Sequence, residues 1–329
     1  MIAFVTGGGG FLGRRIVELL RSEGHEVRFV ARNAYPEVEA TGAVGIVADL
    51  RDPEQLEHAM RGCEVVFHVA ARVGVWGPRQ EYMSTNVDGT RNVIRAARAT
   101  GVSKLIYTST PSVVGYERDV AGIGQAPYAS RHCSVYPETK AIAERMVLEA
   151  NGSGLATVAL RPHLVFGPGD QNLLPSVVRR ARDGRAAIVG DGRNLVDMTF
   201  IDNAAWAHLD AERALTDARA ACAGRAYFIS NDSPVNMWDW TNGFLREIGV
   251  PEISRRISLE TALRIGAGLE WLWRTFGLRG EPRMTRFLAA ALGRSHWYSM
   301  EPARRELGYQ IRVPMEVATS QTIRWWLTT

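Results

Sequence analysis

The chain is short of several things, and each shortage excludes something. Cysteine occurs only as Cys63, Cys133 and Cys222, an odd and widely spaced set that offers neither a disulfide framework nor a metal-ligand spacing. No metal is expected, and a reducing cytoplasm is the expected compartment. Lysine is rarer still: Lys104 and Lys140 stand alone among 39 basic residues, and the rest are arginine, a bias that also fits a GC-rich coding sequence. Those arginines are scattered and the formal charge is only +4, so the concentrated basic stripe of a nucleic-acid-binding protein is missing. No uncharged run of about 18 apolar residues occurs, so no membrane-spanning helix is expected. The first strand is expected to open at Ile2 and run straight into a glycine-rich turn, leaving no stretch for a secretory signal. Repeats and low-complexity segments are absent too.

What remains is ordinary globular composition, 46% hydrophobic and 22% charged over 329 residues, enough for one large domain or two sharing an interface. Periodicity predicts strands at 2–6, 27–31, 43–48, 65–69, 105–109 and 156–160. Between them it predicts helices at 11–22, 53–61, about 82–100 and 136–150. This alternation implies an α/β fold with a doubly wound, mainly parallel sheet of Rossmann type, and ligands at the carboxyl ends of its strands. After Gly167-Pro-Gly-Asp170 the rhythm breaks. A helix is expected at 172–183, one strand at 194–201, a helix at 202–213 and a short strand at 226–229. From Pro234 the chain reads as mostly helical and tryptophan-rich. The expected division is a dinucleotide-binding domain over 1–167, to which 198–229 returns, and a smaller substrate lobe from 168–197 and 230–329.

Gly7, Gly10 and Gly13 lie between the first strand and the first helix. The first glycine permits a tight turn, the second lets a pyrophosphate approach the backbone, and the third lets helix and strand pack closely, with the helix N-terminus facing the negative charge. The end of the second strand discriminates between dinucleotides. A carboxylate there would grip a ribose 2′-hydroxyl, but Ala31-Arg32-Asn33 has none. Arg32 can instead pair with a 2′-phosphate, so NADP(H) is expected, with NAD(H) as the alternative if Arg32 merely stacks on adenine. Asp49 and Leu50, at the next strand end, are expected at the adenine.

Tyr136 and Lys140, four apart, share a helix face, and Pro137 falls in the first turn, where a missing N–H does no harm. An ordinary phenol has a pKa of about 10, and a nearby ammonium together with the positive nicotinamide ring is expected to lower it toward working pH. Tyr136 would then protonate a carbonyl oxygen as hydride reaches the carbon. In Tyr107-Thr-Ser-Thr-Pro-Ser112, Thr110 is expected to polarise the same oxygen, with Ser112 as second donor.

Taken in order, Thr6-Gly-x-x-Gly-x-x-Gly13, Asp49-Leu50, Phe67-His-Val-Ala-Ala71, Asn86-Val-x-Gly-Thr90, Tyr107-Thr-Ser-Thr110, Tyr136-x-x-x-Lys140 and Arg161-Pro-x-x-Val-Phe-Gly-Pro168 resemble the extended short-chain dehydrogenase/reductase superfamily. That family usually has serine at the position of Thr110; threonine keeps the donor. The resemblance implies a cofactor lying against Gly7, Gly10, Phe11, Leu12, Ala70 and Ser109, then against Tyr136, Lys140, Pro162 and Val165. The stretch Gly190–Asn203, with Ser295–Ser299 and Leu307-Gly-Tyr309, is similar to the 3β-hydroxysteroid dehydrogenase branch. Sugar-nucleotide enzymes of the superfamily carry arginine where Val196 stands here. Val73-Gly-Val-Trp-Gly77 with Thr108–Val113 is similar to bacterial reductases of 2-alkyl-3-oxoalkanoates, which implies NADPH-dependent reduction of a hydrophobic β-keto acid. An NAD-linked 3β-hydroxysteroid dehydrogenase is the second reading, and a cofactor-sensing protein without catalysis the third. The superfamily also implies homodimers through the helices near 86–100 and 136–150.

Val75, Trp76, Ser112 and His163 are the expected substrate neighbours, while His68 is read as packing. Leu263, Leu269, Trp271, Leu272, Trp273 and Phe276 crowd one segment. Two readings stand equal: a core-packing helix, or a lipophilic tunnel whose mouth rests on a membrane surface or pathway enzyme, which would place the protein at a membrane surface within the cytoplasm.

Overall fold

The sheet doubles back on itself at its first strand, and that reversal positions everything functional. The computed structural model describes all residues 1–329. Its seven central strands are β1 (Ile2–Thr6), β2 (Glu26–Ala31), β3 (Val44–Val47), β4 (Val65–His68), β5 (Lys104–Thr108), β6 (Ala156–Pro162) and β7 (Arg225–Ile229), in the order β7-β6-β5-β4-β1-β2-β3. Every neighbouring pair is parallel. Because β2 and β3 lie on one side of β1 and β4 to β7 on the other, a crevice opens between the carboxyl ends of β1 and β4.

These strands form because they are short apolar runs buried on both faces, as in Ala3, Phe4 and Val5. Helix α1 (Phe11–Ser22) buries Ile16, Val17, Leu19 and Leu20 on one face of the sheet. On the other face, Val93 of α2 (Gly89–Ala99) and Val147 of α3 (Val135–Glu149) pack over Phe4, Val30 and Val66. Helix α4 (Ile201–Ala214) lies beside α1.

The long helix expected at 82–100 is interrupted. Arg79–Tyr82 is one turn, Met83–Asp88 is a π-helical segment, and only then does α2 begin. The wider turn carries Asn86, whose Oδ1 accepts the Arg72 N–H at 2.7 Å while Nδ2 donates to the Arg72 carbonyl and to Thr139 Oγ1, both at 3.1 Å. That side chain ties the loop after β4 to α3.

A second sheet organises the smaller lobe: Val235–Asn236, Leu195–Val196, His296–Tyr298 and Val120–Ile123 lie side by side. The single strand expected at 194–201 is two short ones in different sheets. Leu195–Val196 joins the lobe, and Thr199–Phe200 pairs with Val165–Phe166. Asp197 sits at the break and accepts the Tyr298 N–H at 2.6 Å. Helices α5 (Leu259–Phe276) and α6 (Arg286–Gly293) pack on each other, and α6 lies against the short strand Ile188–Val189. The core-packing reading of the aromatic segment fails at its most aromatic positions. Helix α5 buries Ala262, Gly266 and Glu270, whereas Trp271 is 62% and Phe276 63% exposed. No helix is long and apolar enough to cross a membrane.

Candidate active site

Gly7 turns the chain at φ +71°, where a side chain is strained, and a Cβ there would lie 2.9 Å from Ala70 Cα. The ends of β1 and β4 are thus held almost in contact. A Cβ on Gly13 would lie 2.1 Å from the Gly7 carbonyl oxygen, which is why the third glycine lets α1 pack so tightly. Gly8 and Gly9, not singled out by the motif, face the same limit: a Cβ would meet Phe29 at 2.4 Å and the Tyr35 ring at 2.2 Å.

Gly10 caps α1 without a side-chain hydrogen bond, and no acid occupies the first turn. The helix therefore presents its free N–H groups and positive end to the crevice. Phe11 and Leu12 begin this helix and pack, half-buried, toward the smaller lobe. Thr6 Oγ1 accepts the Val69 and Ala70 N–H groups at 3.1 Å and contacts His68 Nδ1 at 2.8 Å, while His68 Nε2 meets Thr90 Oγ1 at 2.9 Å. His68 is a buried stitch between strands and α2; burial, aided by the Lys140 charge, holds it neutral with a pKa of about 3.

Beyond β2, Arg32 is exposed and makes no ion pair or hydrogen bond. Asp49 is committed to Arg51 at 2.7 and 2.9 Å, and this partner holds its carboxyl below the usual range. Leu50 is buried, and a Cβ on Gly89 would lie 3.0 Å from its own. The Ser109 hydroxyl, buried at the end of β5, has no hydrogen-bond partner. Pro162 ends β6, and Val165 follows, half-buried, in its own short strand. An uncapped helix end, glycines with no room for side chains and an orphaned hydroxyl fit a dinucleotide lying across the crevice.

Helix α3 places Tyr136 and Lys140 one turn apart, with Pro137 in the first turn. Thr110 neighbours the Tyr136 hydroxyl, and its Oγ1 lies 3.1 Å from Ser112 Oγ. The expectation that the lysine lowers the phenol's pKa is not met in this structure. Burial pushes Tyr136 up to about 12, while its hydrogen bond with Thr110 pulls the other way. Lys140 is turned elsewhere: its Nζ donates to the Thr108 carbonyl at 2.6 Å and stands 4.1 Å from the Tyr107 ring centre. Burial lowers the lysine itself to about 7, against the pull of Glu144.

Two cavities are lined by chain neighbours of Tyr136, though not by Tyr136 itself. The larger, about 680 Å³, is lined by Val75, Trp76, Tyr82, Ser134 and Val135 from the main domain and by Arg274 and Leu278 from α5 and its following turn. The smaller, about 220 Å³, is lined by Ser112, Tyr116 and Pro137, and by Phe287, Ala290 and Arg294 from the other lobe. Cys133 lines both. Of the expected substrate neighbours, Val75 and Trp76 line the larger cavity and Ser112 the smaller. His163 lines neither and packs near Tyr116 against His296 and Tyr298. Tyr116 and Arg294 escaped the sequence reading because no local motif marks either one.

The chain belongs to the 3-beta hydroxysteroid dehydrogenase/isomerase family, whose family model matches residues 4–260. It is thus an NAD(P)-dependent oxidoreductase acting between a carbinol and a carbonyl. It is 51% identical over 319 residues to the 2-alkyl-3-oxoalkanoate reductase of Stenotrophomonas maltophilia, covering 96% of both chains. It is 33% identical over 327 residues to the mouse (Mus musculus) sterol-4-alpha-carboxylate 3-dehydrogenase, decarboxylating, covering 97% of this chain and 89% of that one. Among solved structures, MoeE5 in complex with UDP-glucose and NAD superposes with a TM-score of 0.75 at 25% identity, over 99% of this chain and 98% of that one.

Proposed function

We propose that the chain is an NADPH-dependent reductase of hydrophobic β-keto acids of the 2-alkyl-3-oxoalkanoate type, producing the β-hydroxy acid. The observation that carries this reading is the 51% identity, end to end, with a reductase of that name. The cavity of about 680 Å³ beside Tyr136, with Val75, Trp76 and Leu278 in its walls, supports an alkyl substrate. When bound, a reduced nicotinamide would supply hydride for the carbonyl carbon. Tyr136 gives its hydroxyl proton to the carbonyl oxygen, and Thr110 donates a hydrogen bond to that same atom, with Ser112 behind it. Lys140, held by the Thr108 carbonyl and turned from the phenol, would hold the nicotinamide ribose.

The preference for NADPH is supported by Arg32, exposed and without an acid partner where a 2′-phosphate would lie. Gly7, Gly10, Phe11, Leu12, Ala70, Ser109, Pro162 and Val165 complete the proposed cofactor surface. A second copy of the chain is the proposed partner across α2 and α3, where Ile142 and Met146 remain partly exposed. A membrane surface is the proposed resting place of the cavity mouth. Leu278, at 42% exposure, lines it with Arg274 and Arg279, and the same helix and its following turn expose Trp271 and Phe276.

The test is NADPH oxidation with a 2-alkyl-3-oxoalkanoate as sole acceptor, run beside NAD reduction with a 3β-hydroxysterol. Turnover of the acid supports the reading. Turnover of the sterol alone transfers the assignment to a sterol dehydrogenase, which the mouse relative favours.

A further inference from the structure

We propose that Arg294 holds the substrate's carboxylate, and so fixes which way a β-keto acid lies across Tyr136. The proposal rests on the reductase reading and adds an orientation to it. Ser134 and Val135 line the larger cavity, Pro137 lines the smaller, and Cys133 lines both. Tyr136 itself lines neither chamber, but its hydroxyl lies near Tyr82 of the larger and Tyr116 of the smaller. A ketone brought to that hydroxyl has two substituents and two chambers to receive them.

The charges of the two chambers differ in how far they are already answered. In the larger one Arg79 bridges Glu138 at 2.6 Å, Arg274 lies over the Trp76 ring at 5.3 Å and 3.9 Å from Glu270, and Arg279, without a partner, is exposed to solvent. In the smaller one Arg286 holds Glu270 at 2.7 and 3.0 Å. Arg294 makes no ion pair, and its Nε is buried without a hydrogen-bond partner; His132 Nδ1 lines the same chamber in the same condition. Glu117 is the opposing charge. It also lines the chamber but bridges no base, and its carboxylate is folded back so that a Cβ on Gly115 would lie 2.3 Å from it. A buried guanidinium nitrogen without an acceptor is rare in a settled structure and marks a place for one.

In a β-keto acid the carboxyl group is joined to the carbon next to the ketone, so it must enter the chamber on that side. A guanidinium fork matches a carboxylate with two parallel N–H···O bonds. The acid, with the α-carbon and its branch, then lies at the smaller chamber against Arg294, and the chain beyond the ketone turns into the larger one beneath α5. The names of the bacterial and mouse relatives share this element, an acid one carbon removed from the reacting carbon.

The experiment compares 2-methyl-3-oxododecanoate with its uncharged methyl ester, using the full-length enzyme and NADPH. Arg294→Leu is expected to raise KM for the acid by about tenfold or more with little change in kcat, while leaving KM for the ester unchanged. Arg294→Lys should recover part of the loss for the acid, and Glu117→Gln should lower its KM by removing a like charge. Equal losses for acid and ester, or an acid KM that ignores Arg294→Leu, overturn the proposal. Should the leucine variant fail to fold, Glu117→Gln decides: a KM for the acid that does not fall counts against Arg294. A wild-type enzyme that reduces neither compound would instead sink the reductase reading itself.

Discussion

Lys140 Nζ reaches past Tyr136 to the Thr108 carbonyl, at 2.6 Å, and is buried there against the Tyr107 ring. Its ammonium is thus held by the end of β5, on the same strand-to-loop junction that carries Ser109 and Thr110. That arrangement sets the order in which the site titrates. Lys140 is lowered to about 7 by burial, and Tyr136 is raised to about 12 by the same cause.

The pH dependence follows with a definite sign. Tyr136 keeps its proton across the working range, so it gives no limb below about 12. Lys140 loses its charge as pH rises through about 7, and with it a charged donor for the nicotinamide ribose. For reduction, kcat/KM is expected to be level below pH 7 and to fall roughly tenfold per unit above it. A profile that stays flat to pH 9 contradicts this.

Arg32 tests the cofactor reading alone. Arg32→Asp removes the partner of a 2′-phosphate and supplies the carboxylate that grips a 2′-hydroxyl. KM for NADPH is expected to rise by about tenfold or more, KM for NADH to fall, and kcat with saturating cofactor to stay within about twofold. Equal changes for both cofactors would mean that Arg32 does not see the phosphate.

Glu144 and Arg161 form a two-pronged pair at 2.6 and 3.0 Å, with side chains 0% and 5% exposed. It clamps α3, one turn beyond Lys140, to β6. Glu144→Gln leaves a buried guanidinium without its counter-charge, a change that typically costs about 3–5 kcal/mol. A large drop in denaturation midpoint is expected; a midpoint within a degree of wild type would show that the pair contributes nothing net.

The exposed rim of α5 predicts attachment to anionic lipid. Vesicles of phosphatidylglycerol should carry the wild-type chain on flotation. Trp271→Ser with Phe276→Ser should leave it in solution without altering turnover of a short-chain acid. Wild-type protein that never floats, at low salt included, disposes of the membrane reading and leaves a pathway enzyme as the partner to seek.

How much of this was legible beforehand depended on chain distance. The glycine turn, the Tyr136–Lys140 pair and the seven strands rest on spacings of a few residues, and each lies within a residue or two of its expected bounds. The strand at Val120–Ile123 was not legible, because its partner is His296–Tyr298 from the far end of the chain. Tyr116 and Arg294 reach the site through such remote pairings, and no local pattern announces them. The direction of the Tyr136 shift was misjudged for a related reason. Spacing shows that a lysine is near, but only the fold shows that its ammonium is engaged elsewhere and that burial dominates.

The account stands or falls with the hydroxyl of Tyr136. The most direct measurement is a single turnover: enzyme in excess over NADPH, saturating 2-alkyl-3-oxoalkanoate, and loss of nicotinamide absorbance followed for the wild type and Tyr136→Phe. The variant is expected to bind NADPH as the wild type does, by fluorescence titration, and to transfer hydride at least about a hundredfold more slowly. Hydride transfer at an undiminished rate in the variant would show that the proton comes from elsewhere and that this is not the reacting centre.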